Sequence, residues 1–284
     1  MNTTASTSGS PRPSPYVLDN AATETRVRFS ALPALYDATT IRHLERIGVE
    51  SGWRCWEIGA GAGSIARWLA SRVGAAGSVL ATDIDTRFLD TERPSNLEVR
   101  RHDIVADPLP DGTFNLIHAR LLLVHLPERE NVIDRMIAAL KPGGWLLTEE
   151  FDSSSAPAAP ERCPWESTLK SAAVFREIMV ARGVDSGFGR MLPGRLRERG
   201  LQELHAEGRM LMMQGGTAGA HLMKANYTQL REAILESGKV TAAEFQQDLL
   251  RLDQPDFIAP LPIMWSVSGR RPGLKGKDAV QATT

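Results

Sequence analysis

The segment Trp56-Glu57-Ile58-Gly59-Ala60-Gly61-Ala62-Gly63 constrains the fold more than any other stretch of the chain. A short apolar run from Arg54 to Ile58 leads into it, and an amphipathic pattern from Ser64 to Val73 leads out. Glycines at alternate positions between a strand and a helix allow a tight turn, and they let a ligand approach backbone where a Cβ would intrude. The turn therefore reads as the floor of a binding site.

The text around it alternates short apolar runs with longer amphipathic ones, the signature of a parallel sheet with crossover helices. Strands are expected at Arg54–Ile58, Ser78–Asp83, Leu97–His102, Phe114–Ala119 and Gly144–Glu149, with later ones at Gln202–Met212 and Ile258–Ser268. Helices are expected at Ser64–Val73, around Thr86–Glu92, at Glu128–Leu140, at 217–237 and at 241–252. Before the sheet, Val27, Leu32, Leu35, Ile41, Leu44 and Ile47 recur at helical intervals, with Pro33 as a break between two or more helices.

Acidic residues follow the strands at a regular offset. Asp83 lies 20 residues after Gly63 at the end of the second strand, where a carboxylate can accept hydrogen bonds from ribose hydroxyls. Asp103 lies a further 20 residues on, after the third strand; its carboxylate could meet an adenine amine while the Ile104 N–H donates to a ring nitrogen. Ser64 stands where the dinucleotide fingerprint would require glycine, and Glu57 puts a negative charge where a pyrophosphate would be repelled. The pattern points to an adenosyl ligand that carries positive charge.

With WEIGAGAGSIA, VLATDID, RRHDIVADPLPDGTFNLIHARLLLVHLPE and LKPGGWLLTEEF in this order, residues 50–152 resemble the class I S-adenosylmethionine-dependent methyltransferases. The likeness extends to their small-molecule group, which includes the ubiquinone/menaquinone-biosynthesis enzymes. The resemblance implies a Rossmann-like α/β fold with a seven-stranded, mostly parallel sheet. It implies S-adenosyl-L-methionine as cofactor and methyl transfer to oxygen, nitrogen or carbon of a small, partly apolar acceptor, a specialised metabolite or quinone-like compound. Glu57, Gly59, Ala60, Gly61 and Gly63 would hold the methionine part, Asp83 the ribose, Ile84 the adenine face, and Asp103 and Ile104 the adenine edge. Ala119 and Arg120 match positions that contact the methionine amine or carboxylate. Asn115 departs from the acidic residue usual in the fourth strand, at a position that commonly serves the strand's start. Two readings compete: a methyltransferase-fold protein that binds the cofactor without transferring methyl, and an NAD-dependent oxidoreductase, which Ser64 and the lack of a Tyr-x-x-x-Lys pair disfavour.

Because the methyl group is already activated, such a reaction needs alignment more than a dedicated catalytic group. His125 is the candidate base, with packing as its bland alternative. Tyr16, Arg28 and Tyr36, along with Phe29, belong to an N-terminal lid; Glu150 and Asp152, beside Glu149, end the fifth strand and could face the acceptor. Tyr227 and His221 have weaker claims, and Met210, Met212, Met213 and Met223 read as core or as an adaptable apolar pocket.

Composition bounds the remainder. The 284 residues carry 33 Lys+Arg against 34 Asp+Glu, a net charge of −1 that offers no electrostatic footprint for nucleic acid. Cys55 and Cys163 are too few for a disulfide framework, and the six histidines lack metal-ligand spacing, so no metal is expected. Neither a membrane span nor an export signal is evident, so a cytoplasmic protein is expected, with a small-molecule acceptor as partner and homo-oligomerisation left open. The expected organisation is a disordered tail over 1–15, a helical lid over 16–50, a methyltransferase domain over 51–270 with a helical cap inserted at about 153–200 after the fifth strand, and a flexible tail over 271–284.

Overall fold

The computed structural model describes residue 18 and residues 24–89, 93–110, 113–154 and 169–273. Tyr16, Cys163 and most of the expected tails lie outside them. The chain begins with α1 (Thr25–Ile47), β1 (Arg54–Ile58), α2 (Ser64–Val73), β2 (Ser78–Asp83), β3 (Leu97–Arg101) and β4 (Phe114–Arg120). A 3-10 turn (Leu123–His125), α3 (Arg129–Ala139) and β5 (Leu140–Asp152) follow, then α4 (Lys170–Ala181), α5 (Phe188–Glu198), β6 (Gln202–Arg209) and β7 (Met212–Gln214). The last elements are α6 (Ala218–Gln229), α7 (Arg231–Glu236), α8 (Ala242–Arg251), β8 (Ile258–Pro260) and β9 (Ile263–Arg270).

Seven strands form one sheet in the order β3-β2-β1-β4-β5-β9-β6. The strands β1 to β5 run parallel, and β9 lies antiparallel between β5 and β6. Strand order reverses between β1 and β4, which opens a crevice at the C-terminal strand ends, where ligands bind in open α/β sheets. The Gly-rich run sits at that point, between β1 and α2. Strands this deep in a sheet covered on both faces read as continuous apolar runs, and β2 and β4 do so through Val79–Ala81 and Leu116–Ile117, all buried.

Four sequence expectations are corrected. Helix α1 is continuous through Pro33 rather than broken into two. Residues 86–89 form a turn closed by Leu89 N–H to the Thr86 carbonyl, not the start of a helix. The single strands expected at 202–212 and 258–268 each divide: β6 and β9 stay in the main sheet, while β7 and β8 pair with each other. Pro260 and Pro262 flank the second division, where missing N–H groups end ladder pairing.

The fourth correction concerns the cap. Among the described residues of the expected insertion, α4 borders the crevice together with Ser153, Val184 and Ser186, whereas α5 lays Phe188, Leu192 and Leu196 into the main-sheet core. The remaining cover comes from the connection between β6 and β9, whose Met213, Tyr227, Ile234, Phe245 and Leu261 form a separate core with Val174 and Met179 of α4.

A buried charge network crosses the sheet beneath the crevice. His118 on β4 lies between Glu57 on β1 (Nδ1 to Oε2, 2.6 Å) and Glu149 on β5 (Nε2 to Oε2, 3.2 Å), all at most 4% exposed. Glu149 also accepts from Ser266 Oγ of β9 at 2.6 Å and from the Thr40 hydroxyl of α1. Burial alone would lower the His118 pKa, but the two carboxylates outweigh it and hold the imidazolium well above its ordinary 6.5. Against the same burial, His118 and Arg120 hold Glu149 well below its ordinary 4.5. Arg120 extends the tie to α1 through Thr40 Oγ1 (2.9 Å) and Asp37 Oδ1 (2.8 Å).

Two stability predictions result. An added Cβ at Gly189 would lie 2.5 Å from the Glu150 carbonyl oxygen, whereas one at Gly194 of the same helix meets nothing within 4 Å. Gly189→Ala should lose about 1–3 kcal/mol in urea unfolding by overpacking, and Gly194→Ala should lose none. For the network, the His118 contribution is complete below pH 6.5 and fades as pH rises through its raised folded value. The Glu149 contribution is complete above pH 4.5 and fades as pH falls through its lowered one. Wild-type protein should therefore exceed His118→Leu by about 3 kcal/mol or more between those limits, with the gap narrowing on both sides. A gap independent of pH would show that the ionised network does not stabilise the fold.

Candidate functional site

One cavity of about 360 Å³ opens at the C-terminal ends of β1, β2, β3 and β4. Its floor is the turn after β1. Gly59 and Gly61 have φ of 68° and 55°, a region that favours glycine, and the N–H groups of Gly59 and Ala60 both donate to the Thr82 carbonyl. An added Cβ at Gly59 would meet Leu122 at 3.3 Å, and one at Gly61 would meet the Phe29 ring at 3.4 Å. Phe29, on α1, packs edge-on against Phe88 at 4.9 Å, so the first helix closes over the turn.

Asp83 ends β2 with one carboxylate oxygen on Gly61 N–H (2.9 Å) and the other on Asp85 N–H (3.1 Å). Burial raises its pKa, partly opposed by these donors. Asp103, beyond β3, accepts from Val105 N–H at 2.8 Å and so shapes the loop carrying Ile104. Glu57, Ile84, Asp103, Ile104 and Arg120 line the cavity with Gly59, Ala60, Gly61 and Asp83. Gly63 and Ala119 do not. Gly63 caps α2 with its Cα turned toward Leu89 and Arg67, and Ala119 is wholly buried in the sheet core. Asn115 uses its amide oxygen to accept from Arg54 N–H at 3.0 Å, at the start of β1.

The fifth strand distributes its acids by alternation. Glu149 belongs to the network below the crevice. Glu150 was expected at the acceptor but is fully buried, its carboxylate accepting from the N–H groups of Leu122 (3.0 Å), Leu123 (2.7 Å) and Val124 (3.3 Å). Burial pushes its pKa up to about 8 although those three donors favour the ionised form. It secures the loop after β4, where Leu121 has a φ of 55°, uncommon for a side chain of its size. Asp152 does line the cavity, held by Arg190 Nε at 2.5 Å and by Ser154.

Beyond the turn the cavity continues under the cap. His125 lines this part and is kept neutral, its pKa driven down to about 4 by burial and by the charges of Arg28 and Arg129. Arg28, 2% exposed, reaches from α1 to Gln229 of α6 at 2.7 Å. Tyr36 is buried beside Phe151, and its hydroxyl has no hydrogen-bond partner among the described residues. Leu32, Phe175, Met179, Met213, Met223 and Leu261 supply apolar wall. Met210 also lines it, while Met212 is exposed and His221 is outside it.

Sequence reasoning missed His118, Arg176 and Asn226. A lone histidine in a strand, an arginine on a helix and an asparagine on another carry no spacing signal, because each meets the site only through tertiary packing. The buried alternation of Glu57 and His118 on neighbouring parallel strands was the one available hint.

Comparison with known proteins agrees with this geometry. Residues 56–144 match a family model described as a methyltransferase domain. The chain is 32% identical over 144 residues to methyltransferase str3 of Strobilurus tenacellus, covering 49% of this chain and 50% of that protein. It is 32% identical over 123 residues to the ubiquinone/menaquinone biosynthesis C-methyltransferase UbiE of Laribacter hongkongensis, covering 41% and 50%. The chain thus spans about half the length of the curated relatives it matches. Among solved structures, the YcgJ protein of Bacillus subtilis superposes with a TM-score of 0.56 at 13% identity, over 84% of this chain and all of that one. Phosphoethanolamine N-methyltransferase 2 of Haemonchus contortus does so with a TM-score of 0.55 at 15% identity, over 89% and 58%. Residues 56–144 thus match the model of a methyltransferase domain, and the sheet has the order of the class I methyltransferase fold.

Proposed function

We propose that the protein transfers a methyl group from S-adenosyl-L-methionine to an oxygen, nitrogen or carbon of a small, partly apolar acceptor. The observation that carries this reading is the continuity of one cavity from the glycine turn and its acids to the apolar chamber under the cap. The residues present fit that cofactor. The turn admits close approach at Gly59 and Gly61, Asp83 offers a buried acceptor for hydroxyls, and the orphaned Tyr36 hydroxyl is a polar atom in need of a ligand partner.

When bound, the cofactor supplies a methyl group activated on a cationic sulfur. Glu57 and Asp103 place negative charge along the crevice that receives it, and Arg120 lines the part next to α1. Helix α1 excludes water through Phe29 and Tyr36 and is fastened on two sides, by Arg120 below and by Arg28 to the cap. His125, neutral and weakly basic, suits orienting an acceptor better than deprotonating it. No described helix is long and apolar enough to cross a membrane, and a buried Cys55 suits a reducing, cytoplasmic setting.

Calorimetric titration tests the assignment. Full-length protein should bind S-adenosylmethionine and S-adenosylhomocysteine, and Asp83→Ala should weaken both about tenfold or more, the worth of hydrogen bonds to a charged group. Binding that is absent, or unchanged in Asp83→Ala, would remove the reading. Binding with no methyl transfer to any of a broad acceptor panel would favour a cofactor-binding protein that does not methylate.

A further inference from the structure

The chamber under the cap is apolar along its walls but not neutral in its charges. Burial, and after it the charges of Arg28 and Arg129, lowers the His125 pKa, and Asp152, the acid at the end of β5, is matched by Arg190. Among the described residues, three arginines line the cavity. Arg120 is held by Asp37 and Thr40, and Arg28 reaches Gln229. The third, Arg176 on α4, makes no hydrogen bond or ion pair among the described residues.

Arg176 is exposed, whereas its neighbours Phe175 and Met179 are turned into the chamber, so the guanidinium stands at the mouth. Its charge reaches inward: it favours the ionised form of the buried Tyr227 hydroxyl, which burial opposes. Tyr227 packs edge-on against Phe175 at 5.3 Å and lines the same wall. One position earlier on α6, Asn226 also lines the cavity, and its amide oxygen is buried without a hydrogen-bond partner. An amide oxygen lacking a donor and a guanidinium with no anionic partner among the described residues therefore border one apolar space. Unsatisfied polar groups in such a space are where a ligand's polar end goes.

We propose that the acceptor is an organic carboxylate: an apolar body seated against Phe175, Met179, Met213 and Met223, with its anionic end at Arg176. This rests on the methyl-transfer reading, which makes the chamber the acceptor site. A guanidinium matches a carboxylate in shape and charge, and the four-carbon flexibility of lysine only partly replaces it. The thioethers supply a wall that adapts to the body, so the charged end, not the body's outline, fixes the ligand's direction.

The test uses full-length protein saturated with S-adenosylhomocysteine and two fluorescent probes of like body, anilinonaphthalene sulfonate and its uncharged relative N-phenylnaphthylamine. Arg176→Gln should weaken the sulfonate about tenfold, as loss of a charge-assisted hydrogen bond does, and leave the neutral probe unchanged. Arg176→Lys should recover part of the loss. Decanoate should displace the sulfonate from wild-type protein at lower concentration than decanol. Equal effects of Arg176→Gln on both probes, or none on the sulfonate, overturn the role of Arg176; displacement by decanol as good as by decanoate overturns the carboxylate. Failure to bind S-adenosylhomocysteine at the outset would instead sink the methyl-transfer reading, so the two failures are separate.

Discussion

The imidazolium of His118 between Glu57 and Glu149 joins the parts that have to act together. It sits where three parallel strands run side by side, so its two carboxylates come from β1 and β5, the strands on either side of β4. Without a positive charge between them, two buried carboxylates would repel each other in a medium that screens poorly. With it, Glu57 is fixed in the crevice, while Glu149 reaches out to β9 through Ser266 and to α1 through Thr40. A single charge thus links the glycine turn, the inserted antiparallel strand and the helix that covers them.

That arrangement shows why the site has two unlike ends. Toward β1, β2 and β3, the surface is made of turns and strand ends, with acids whose carboxylates are already organised by backbone N–H groups. Toward the cap, it is made of helices from distant parts of the chain, and polarity is confined to a few groups, among them Arg176, Asn226 and the Tyr36 hydroxyl. Rigid backbone shapes the first end, and side chains on packed helices shape the second.

The same division sets what could be read from residue order. The ends of β1, β2 and α2 were legible to the residue, because strand hydrophobicity, glycine conformation and acid position are all local signals there. So were Asp83 and Asp103 as crevice residues. The cap was legible only as helices. Nothing local says that α5 turns back to the sheet while α6 to α8 pack on α4, since both assignments bury an apolar face equally well in isolation. Pro33 misled for a related reason: a proline inside a helix forfeits one hydrogen bond, and the packing of Phe29, Tyr36 and Leu44 on either side outweighs that loss. Glu150 misled because alternation along a strand names two faces without saying which one meets solvent, ligand or a neighbouring loop.

The placement of β9 has a further outcome. Because the last strand slides between β5 and β6, the whole stretch from Leu211 to Pro262 is a detour that leaves the sheet at one strand and re-enters at the strand beside it. Its two ends are already held together, by the β6–β9 ladder and by the Leu261 N–H to Leu211 carbonyl bond at 2.8 Å. A detour closed at its base can be rewritten, lengthened or exchanged with little entropic penalty to the domain that carries it. The lineage of such a chain is free to change what it recognises while the glycine turn and the strand ends beside it keep their form.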